Sequence, residues 1–478
     1  MNTERLLANY LIGLTYEDIP ASVIKATKLQ ILNILSAILG GSAAGGIKEL
    51  VDLLGYWGGR QESTVFAYGH KIPAPNAAQA NASMGHALDF DDTYNKTMLH
   101  PAVVTVPAAM AIAEMRPGVS GKEFLTAVSL SIDLGCRMCL VVKAPPEGKD
   151  QQWWQVWHFT ALFGYFMAAA AAARLLPLDE DKMMNALGLA YHQAAGNGQV
   201  VRDGAHAKRL GPGFSCRAGV TSALMAQRGI TGAKNFIEGE VRLYDLYFPG
   251  TPYNLSALTD KLGQQFENED ISLKPYPCGV VNHTAIDAAL FITREHDIKP
   301  DDVAEVTIFT GQGSSVLWKP IEAKRHPKNG VETQFSIPWS VATAIVKRRA
   351  TIQDYTDEAA KDPEMHELTN RINAEIDPAL TGGSIEPTRV RIKTKGGKVF
   401  INQVAIPLGS PRKPFSQADI KGKLKDCNSV SIKPLSDETL ENLIGTIQRL
   451  EEMEDVGPLM GMLASKQGNS PESDRDRG

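Results

Sequence analysis

Cysteine is scarce in this chain: five in 478 residues, odd in number and widely scattered. That excludes a disulfide framework and fits a reducing compartment, so a cytoplasmic location is expected. Charge of one sign is lacking too. A formal net charge of -5 leaves no electrostatic footprint for DNA or RNA, and nucleic acid is not expected as a partner. Long apolar runs are missing near the middle of the chain. The longest there, "FTALFGYFMAAAAAA" from Phe159, ends after about fifteen residues, short of the roughly twenty that cross a bilayer. It reads as a buried Ala-rich helix, and no membrane is expected as a partner. The opening stretch "MNTERLLANYLIGLTYEDIP" carries acids in its first turns and does not read as a secretory or transit peptide. Metal motifs are equally thin. Cys136 and Cys139 form a CxxC, but no second pair or nearby histidine completes a four-ligand zinc set, so they read as packing residues.

What is present is a large potential interior, 43% hydrophobic against 22% charged, in a chain too long for one ordinary core. Helical periodicity dominates to about residue 265. In "SVIKATKLQILNILSAILGG" apolar residues recur at Ile24, Ile31, Leu35 and Ile38, and Gly40-Gly41 closes the run. Similar patterns follow at Asn76 to Ala87, Thr105 to Glu114, Gly121 to Leu140, Phe159 to Leu175, Asp179 to Ala195 and Ser215 to Arg228. Further on the pattern changes. "DVAEVTIFTG", "TRVRIKT" and "KVFINQVAI" alternate like strands, the last two joined by "KGG", a hairpin turn. The expected fold is mainly α: a large all-helical domain (1–268 and 408–464) with an inserted smaller α+β lid domain (269–407) and a polar, disordered tail (465–478). Such an insertion leaves a cleft between body and cap, a common place for ligands.

Four segments concentrate polar residues in apolar surroundings. "HALDFDDTYNKTMLHP" carries Asp89, Asp91, Asp92, Thr93 and two histidines, including His100, and suits a metal cage, an acid/base site or a solvated loop. "WWQVWHFTALFG" sets His158 before the Ala-rich helix. "GNGQVVRDGAHAKRLGPGF" brings Arg202, His206, Lys208 and Arg209 into a Gly-rich loop leading to a helix at Ser215. "SLKPYPCGVVNHTAID" carries Lys274, Tyr276, Cys278 and His283 at the domain junction. Singly, each reads as readily as a cap, a core histidine or solvated surface. Together they divide labour: lysine and arginine clamp carboxylates, histidine moves protons near neutral pH, and a buried aspartate orients a histidine. The expected partner is a small di- or tricarboxylate. "DDTYN" also loosely resembles the magnesium-binding motif of helical isoprenoid synthases, but the second acidic motif they need is missing. The Trp-rich "KAPPEGKDQQWWQVW" is a candidate pocket wall or a packing patch.

On these segments the sequence resembles the MmgE/PrpD family of 2-methylcitrate dehydratases, cis-aconitate decarboxylases and iminodisuccinate epimerases. The carrying motifs are "HALDFDDT", "HPAVVTVPAAMAIAE", "WHFTALFGYFMAAAAAARLLPLDEDKMMNALGLAYHQAAG", "AKRLGPGFSCRAGVTSALMAQRGITGAKNFIEG", "LKPYPCGVVNHTAIDAAL" and "ETQFSIPWSVATAI", in the family's order from about Leu6 to about Leu463. The resemblance implies a helical domain with an α+β lid, a homodimer, and catalysis without metal or organic cofactor. Carried over by motif, it implies a site of Asp89, with Asp92 nearby, Thr93, His100, His158, Lys208 and Lys274. Arg202, Arg209, Tyr276, Cys278 and His283 are expected around the substrate. Two departures stand out. The interval from Thr93 to His100 is about a residue longer than in the decarboxylases, and Cys278-Gly279 stands where those enzymes carry a histidine after the proline of "YP".

The leading expectation is a lyase that dehydrates a hydroxylated di- or tricarboxylate such as 2-methylcitrate. One of His100 and His158 takes the α-proton and the other protonates the departing hydroxyl. An epimerase comes second, a cis-aconitate decarboxylase third, and a catalytically silent helical scaffold is the alternative outside enzymology.

Overall fold

A computed structural model describes residues 2–142, 153–382 and 385–464. The expected tail and residues 143–152 of the Trp-rich stretch lie outside the described residues. A mainly helical body is built around the helix Phe159–Arg174, which is buried along its whole length from Phe159 to Ala173. A helix apolar on every side has no face to offer water, so its neighbours must enclose it. Gly121–Leu140, Ala102–Met115, Glu180–Gln193 and Ala207–Gln227 do so. Local signals set where these helices start. Ser120 and Glu123 form a capping box ahead of Gly121, and Asp179 accepts from the Lys182 N–H at 2.9 Å. The helix Ala21–Gly41 is long and apolar enough to cross a membrane, but 78% of that window is buried here, against Ala74–His86 and Gln417–Ser429 among others.

The basic Gly-rich stretch differs from its expected loop. It is helical from Ala207, through Pro212, to Gln227. Gly196 and Gly204 ahead of this helix turn the chain at positive φ, whereas Gly213 and Gly219 within it serve close packing. A Cβ at Gly213 would lie 2.1 Å from Ser83 Oγ, and one at Gly219 would lie 2.4 Å from Ala168 Cβ. Gly219→Ala is therefore expected to push two helices apart at a cost of about 1–3 kcal/mol, read as a lower urea midpoint with an unchanged slope.

A second hydrophobic core runs from Cys278 to Val404. Its four-stranded sheet has the order Ile372–Ile376, Val303–Thr310, Thr388–Thr394, Val399–Val404, the first pair parallel and the others antiparallel. The inward residues Val390 and Ile392 alternate with more exposed ones, as a sheet covered on one face requires. Helix His283–Glu295 covers that face. The parallel strand "INAEI" is short and half-polar, and its pattern did not announce it. The C-terminal helices return to the first core through Ile420, Leu424, Leu440 and Leu443.

One short pairing positions the site. Asp92–Tyr94 pairs antiparallel with Ile271–Leu273, Asp92 opposite Leu273. Ile271 and Leu273 belong to the first core, so the body reaches past the expected boundary at 269 and the second core begins at Cys278.

Candidate active site

The "DFDD" segment follows the helix Ala74–His86 directly, and Asp89 turns it with φ at 52°, a left-handed conformation that aspartate tolerates better than most residues. The turn buries Asp89 between two ammonium groups. Lys208, in the first turn of Ala207–Gln227, donates to Oδ1; Lys274, one residue past the Ile271–Leu273 strand, donates to Oδ2 at 2.7 Å and to the Asp89 carbonyl at 3.0 Å. Burial works against the Asp89 charge, but the two lysines outweigh it and hold the carboxyl well below its ordinary range. Burial likewise opposes the charge on Lys274, where Asp89 and Asp91 prevail and raise its pKa; at Lys208 burial prevails and lowers it.

Beyond Asp92–Tyr94 the chain closes on itself, Tyr94 N–H donating to the Leu99 carbonyl at 2.7 Å, with Met98 held at φ 64°. A non-glycine residue in that region costs on the order of 1–3 kcal/mol, which the surrounding contacts must offset. The loop delivers His100 to the cleft. Its Nδ1 lies in hydrogen-bond contact with the Asp92 carbonyl, and Thr93 Oγ1 is 3.2 Å away. A carbonyl only accepts, so Nδ1 carries the proton and Nε2 keeps its lone pair. Burial drops the pKa of His100 to about 3, and Lys274 and His86 push the same way against Asp91.

His158 caps the Phe159–Arg174 helix without a capping bond, and its buried Nε2 has no hydrogen-bond partner among the described residues. Burial, then His86 and Lys208, hold it well below the ordinary histidine value. The ring centroids of His100 and His158 are 6.5 Å apart, and His86 lies 5.2 Å from one and 5.1 Å from the other. His86 is fully buried and donates through Nδ1 to Asp91 Oδ2 at 2.6 Å.

His86 and Asp91 stand in the opening motif, yet sequence reasoning gave them no role. Their signal was the spacing of five residues across the end of a helix. Lys423 was missed as well, because nothing in "SQADIKGKLKDC" separates a buried lysine from its solvated neighbours. It donates to the carbonyls of Phe90 (2.7 Å) and Lys274 (2.8 Å), tying the C-terminal helix to both halves of the site, and burial lowers its pKa to about 7.

A cleft of about 870 Å³ opens above these groups, lined by Asp89, His100, His158, Lys208, Lys274 and Arg202, with apolar residues completing the wall. Arg202 is exposed at its edge. Several expected substrate contacts lie off this lining. Arg209 donates to the Gly45 carbonyl at 2.7 Å, and Tyr276 to Asp287 at 2.6 Å. Cys278 and His283 are buried in the second core beside each other, the Cys278 thiol pushed up to about 12 by burial. Thr93 is buried behind His100. Trp153 and Trp157 donate to Thr251 and the Tyr247 carbonyl and do not line the cleft.

His86, Asp89 and Asp91 each bring a ligand atom within 4.8 Å of the others, the spacing of a metal cage. Both Asp89 oxygens are already taken by ammonium groups, and two such charges beside the site oppose a divalent cation.

Asp92 is buried with Oδ2 accepting from the Ala102 N–H at 3.2 Å, and burial followed by its neighbour Asp91 pushes its pKa up to about 8. The sign follows from proton counting. Between an unfolded value of about 3.9 and about 8 the folded state holds a proton that the unfolded state has lost, so stability falls as pH rises, by at most about 1.4 kcal/mol per pH unit. Asp92→Asn is expected to remove that slope, giving a variant that gains on the wild type from pH 5 to pH 8 in urea titrations.

Buried aspartate, histidine and lysine side chains meet at a cleft where a helical body joins a smaller α+β unit, and the proteins this chain is similar to are enzymes of the lyase type. Residues 5–256 match the MmgE/PrpD N-terminal domain and residues 276–447 the MmgE/PrpD C-terminal domain, and the chain belongs to the MmgE/PrpD family. It is 24% identical over 467 residues to the cis-aconitate decarboxylase of Mus musculus, covering 95% of this chain and 92% of that one. It is 24% identical over 473 residues to that of Homo sapiens, covering 97% and 94%. The 2-methylcitrate dehydratase of Cupriavidus necator is 26% identical over 261 residues, 52% of each chain.

Proposed function

We propose that this protein is a cofactor-independent lyase that removes water from a small hydroxylated di- or tricarboxylate of the 2-methylcitrate kind. The observation that carries the reading is the tautomer of His100: with Nδ1–H engaged by a carbonyl, Nε2 offers a neutral imidazole base at the cleft wall. The substrate carboxylate next to the acidic carbon sits on Lys208 and Lys274. His100 takes the α-proton, and the two lysines stabilise the charge that moves onto that carboxylate. The β-hydroxyl leaves as water with a proton from His158. A substrate dianion beside His158 opposes the burial that lowers its pKa, so binding itself loads the acid. His86, close to both rings, returns the proton from His100 to His158 between turnovers. Closure of the α+β unit as a lid over the cleft keeps bulk water out meanwhile.

Decarboxylation is the second reading, favoured by likeness to cis-aconitate decarboxylases along nearly the whole chain. Against it stands the cleft wall at Gly279, which offers no side chain where the decarboxylases are expected to carry a histidine. An epimerase would use the same two imidazoles without a leaving group. The test is proton NMR in deuterium oxide on EDTA-treated protein, with a panel of hydroxy and unsaturated di- and tricarboxylates. A new alkene signal with loss of the carbinol supports the dehydratase. Isotope exchange without elimination would replace it by the epimerase, and carbon dioxide release by the decarboxylase. A panel left unchanged would sink the lyase reading.

A further inference from the structure

The lining of the cleft is uneven. Its chemical groups are gathered on the helical body, whereas the α+β unit contributes Val280, Val281, Val316, Leu317 and Phe335, with no charged side chain among the described residues of that wall. Phe159 extends the apolar surface from the body side. Such a wall has little to offer a carboxylate, and desolvating a charge against it without a partner is costly.

The placement of the cations points the same way. Lys208 and Lys274 meet on Asp89, with Asp91 3.7 Å from Lys274, so the floor ammonium groups are already largely balanced by the protein's own acids. Arg202, exposed at the edge, supplies the other cation among the described lining residues. The floor ammonium groups offer hydrogen-bond donors to one carboxylate and Arg202 offers them to a second at the mouth. A third carboxylate would face valine, leucine and phenylalanine.

We infer that the substrate of this site is a dicarboxylate head bearing an apolar arm of several carbons, the arm lying on the wall formed by Val281, Val316, Leu317 and Phe335. The inference rests on the lyase reading for the head group, while the arm is read from the lining alone. Turnover then depends on arm length, with the head presented to His100, Lys208 and Lys274 in the same way throughout the series.

The experiment uses the full-length protein and two matched series. The first is 3-alkylmalates from methyl to hexyl, which carry an α-proton and a β-hydroxyl, with 2-methylcitrate alongside. The second is alkylsuccinates of the same lengths, which lack a leaving group and report binding by calorimetry. Affinity and kcat/KM are expected to rise about fourfold per added methylene until the wall is covered, the yield of burying one CH₂ group. Leu317→Asn and, independently, Val316→Asn should flatten that rise. Alkylsuccinate affinity that is flat or falls with length would overturn the inference. Rising affinity with no turnover of any malate would leave the arm standing and remove the lyase reading. Turnover of 2-methylcitrate or methylmalate with no gain from longer arms would do the reverse.

Discussion

Asp89→Asn is expected to abolish measurable turnover and to lower stability by about 3–5 kcal/mol, the usual result of removing one partner from a buried ion pair. The substitution is nearly isosteric, and asparagine accepts the left-handed backbone at φ 52° as readily as aspartate does, so strain does not explain the loss. What remains is two buried ammonium groups with one neutral amide between them. Catalysis suffers separately. Without Asp89 the lysines repel each other, and the carboxylate binding point they form together is lost; removing one well-placed donor of transition-state charge already costs about 10²–10³ in rate. The pH dependence gives a second signature. In the variant the lysines titrate below their unfolded value near 10.4, so its stability should recover as pH rises towards 10 and worsen as it falls. The wild type behaves oppositely at the acid end. Its depressed Asp89 pKa stabilises the fold above about pH 4, and that contribution disappears as the carboxyl is protonated. Wild-type urea midpoints and turnover in Asp89→Asn would mean that the lysines find another counterion.

Replacing either cleft histidine should lower kcat by about 10²–10⁴, the ordinary worth of a positioned acid or base, but the two losses should differ in kind. His100→Ala removes the base. Exchange of the substrate α-proton with deuterium oxide should stop together with elimination. His158→Ala removes the acid while leaving Nε2 of His100 in place, so exchange should persist after alkene formation has collapsed. The same NMR tubes report both outcomes. Exchange surviving in His100→Ala but not in His158→Ala would reverse the assigned roles. The stability costs should differ too: the unpartnered Nε2 of His158 gives up no hydrogen bond, whereas His100→Ala leaves the Asp92 carbonyl without its Nδ1–H donor at a cost of about 1–3 kcal/mol.

The sequence by itself was enough for the mainly helical body, the alternating strands Val303–Thr310, Thr388–Thr394 and Val399–Val404, and the family. These rest on local periodicity and ordered motifs, which survive without knowledge of contacts. Polar residues in apolar surroundings singled out the segments that carry Asp89, His100, His158, Lys208 and Lys274, and the family resemblance picked those five out of them. Other properties lay beyond any local pattern. Glycines in "KRLGPGF" signalled a loop until the neighbouring helix showed that Gly213 makes room for Ser83. The pairing of Asp92–Tyr94 with Ile271–Leu273 joins segments nearly two hundred residues apart, and that pairing sets Lys274 against Asp89. Lys423 comes from farther still, and no spacing rule links it to Phe90. The same holds for Arg209, Tyr276, Cys278 and His283, whose residue types suited a carboxylate site but whose side chains face the interior or a protein partner. Which side chain meets a cleft is settled by the packing of whole elements, each orientation fixed by the apolar surface it must bury. Residue type states what chemistry is possible, and the tertiary structure decides where it is used.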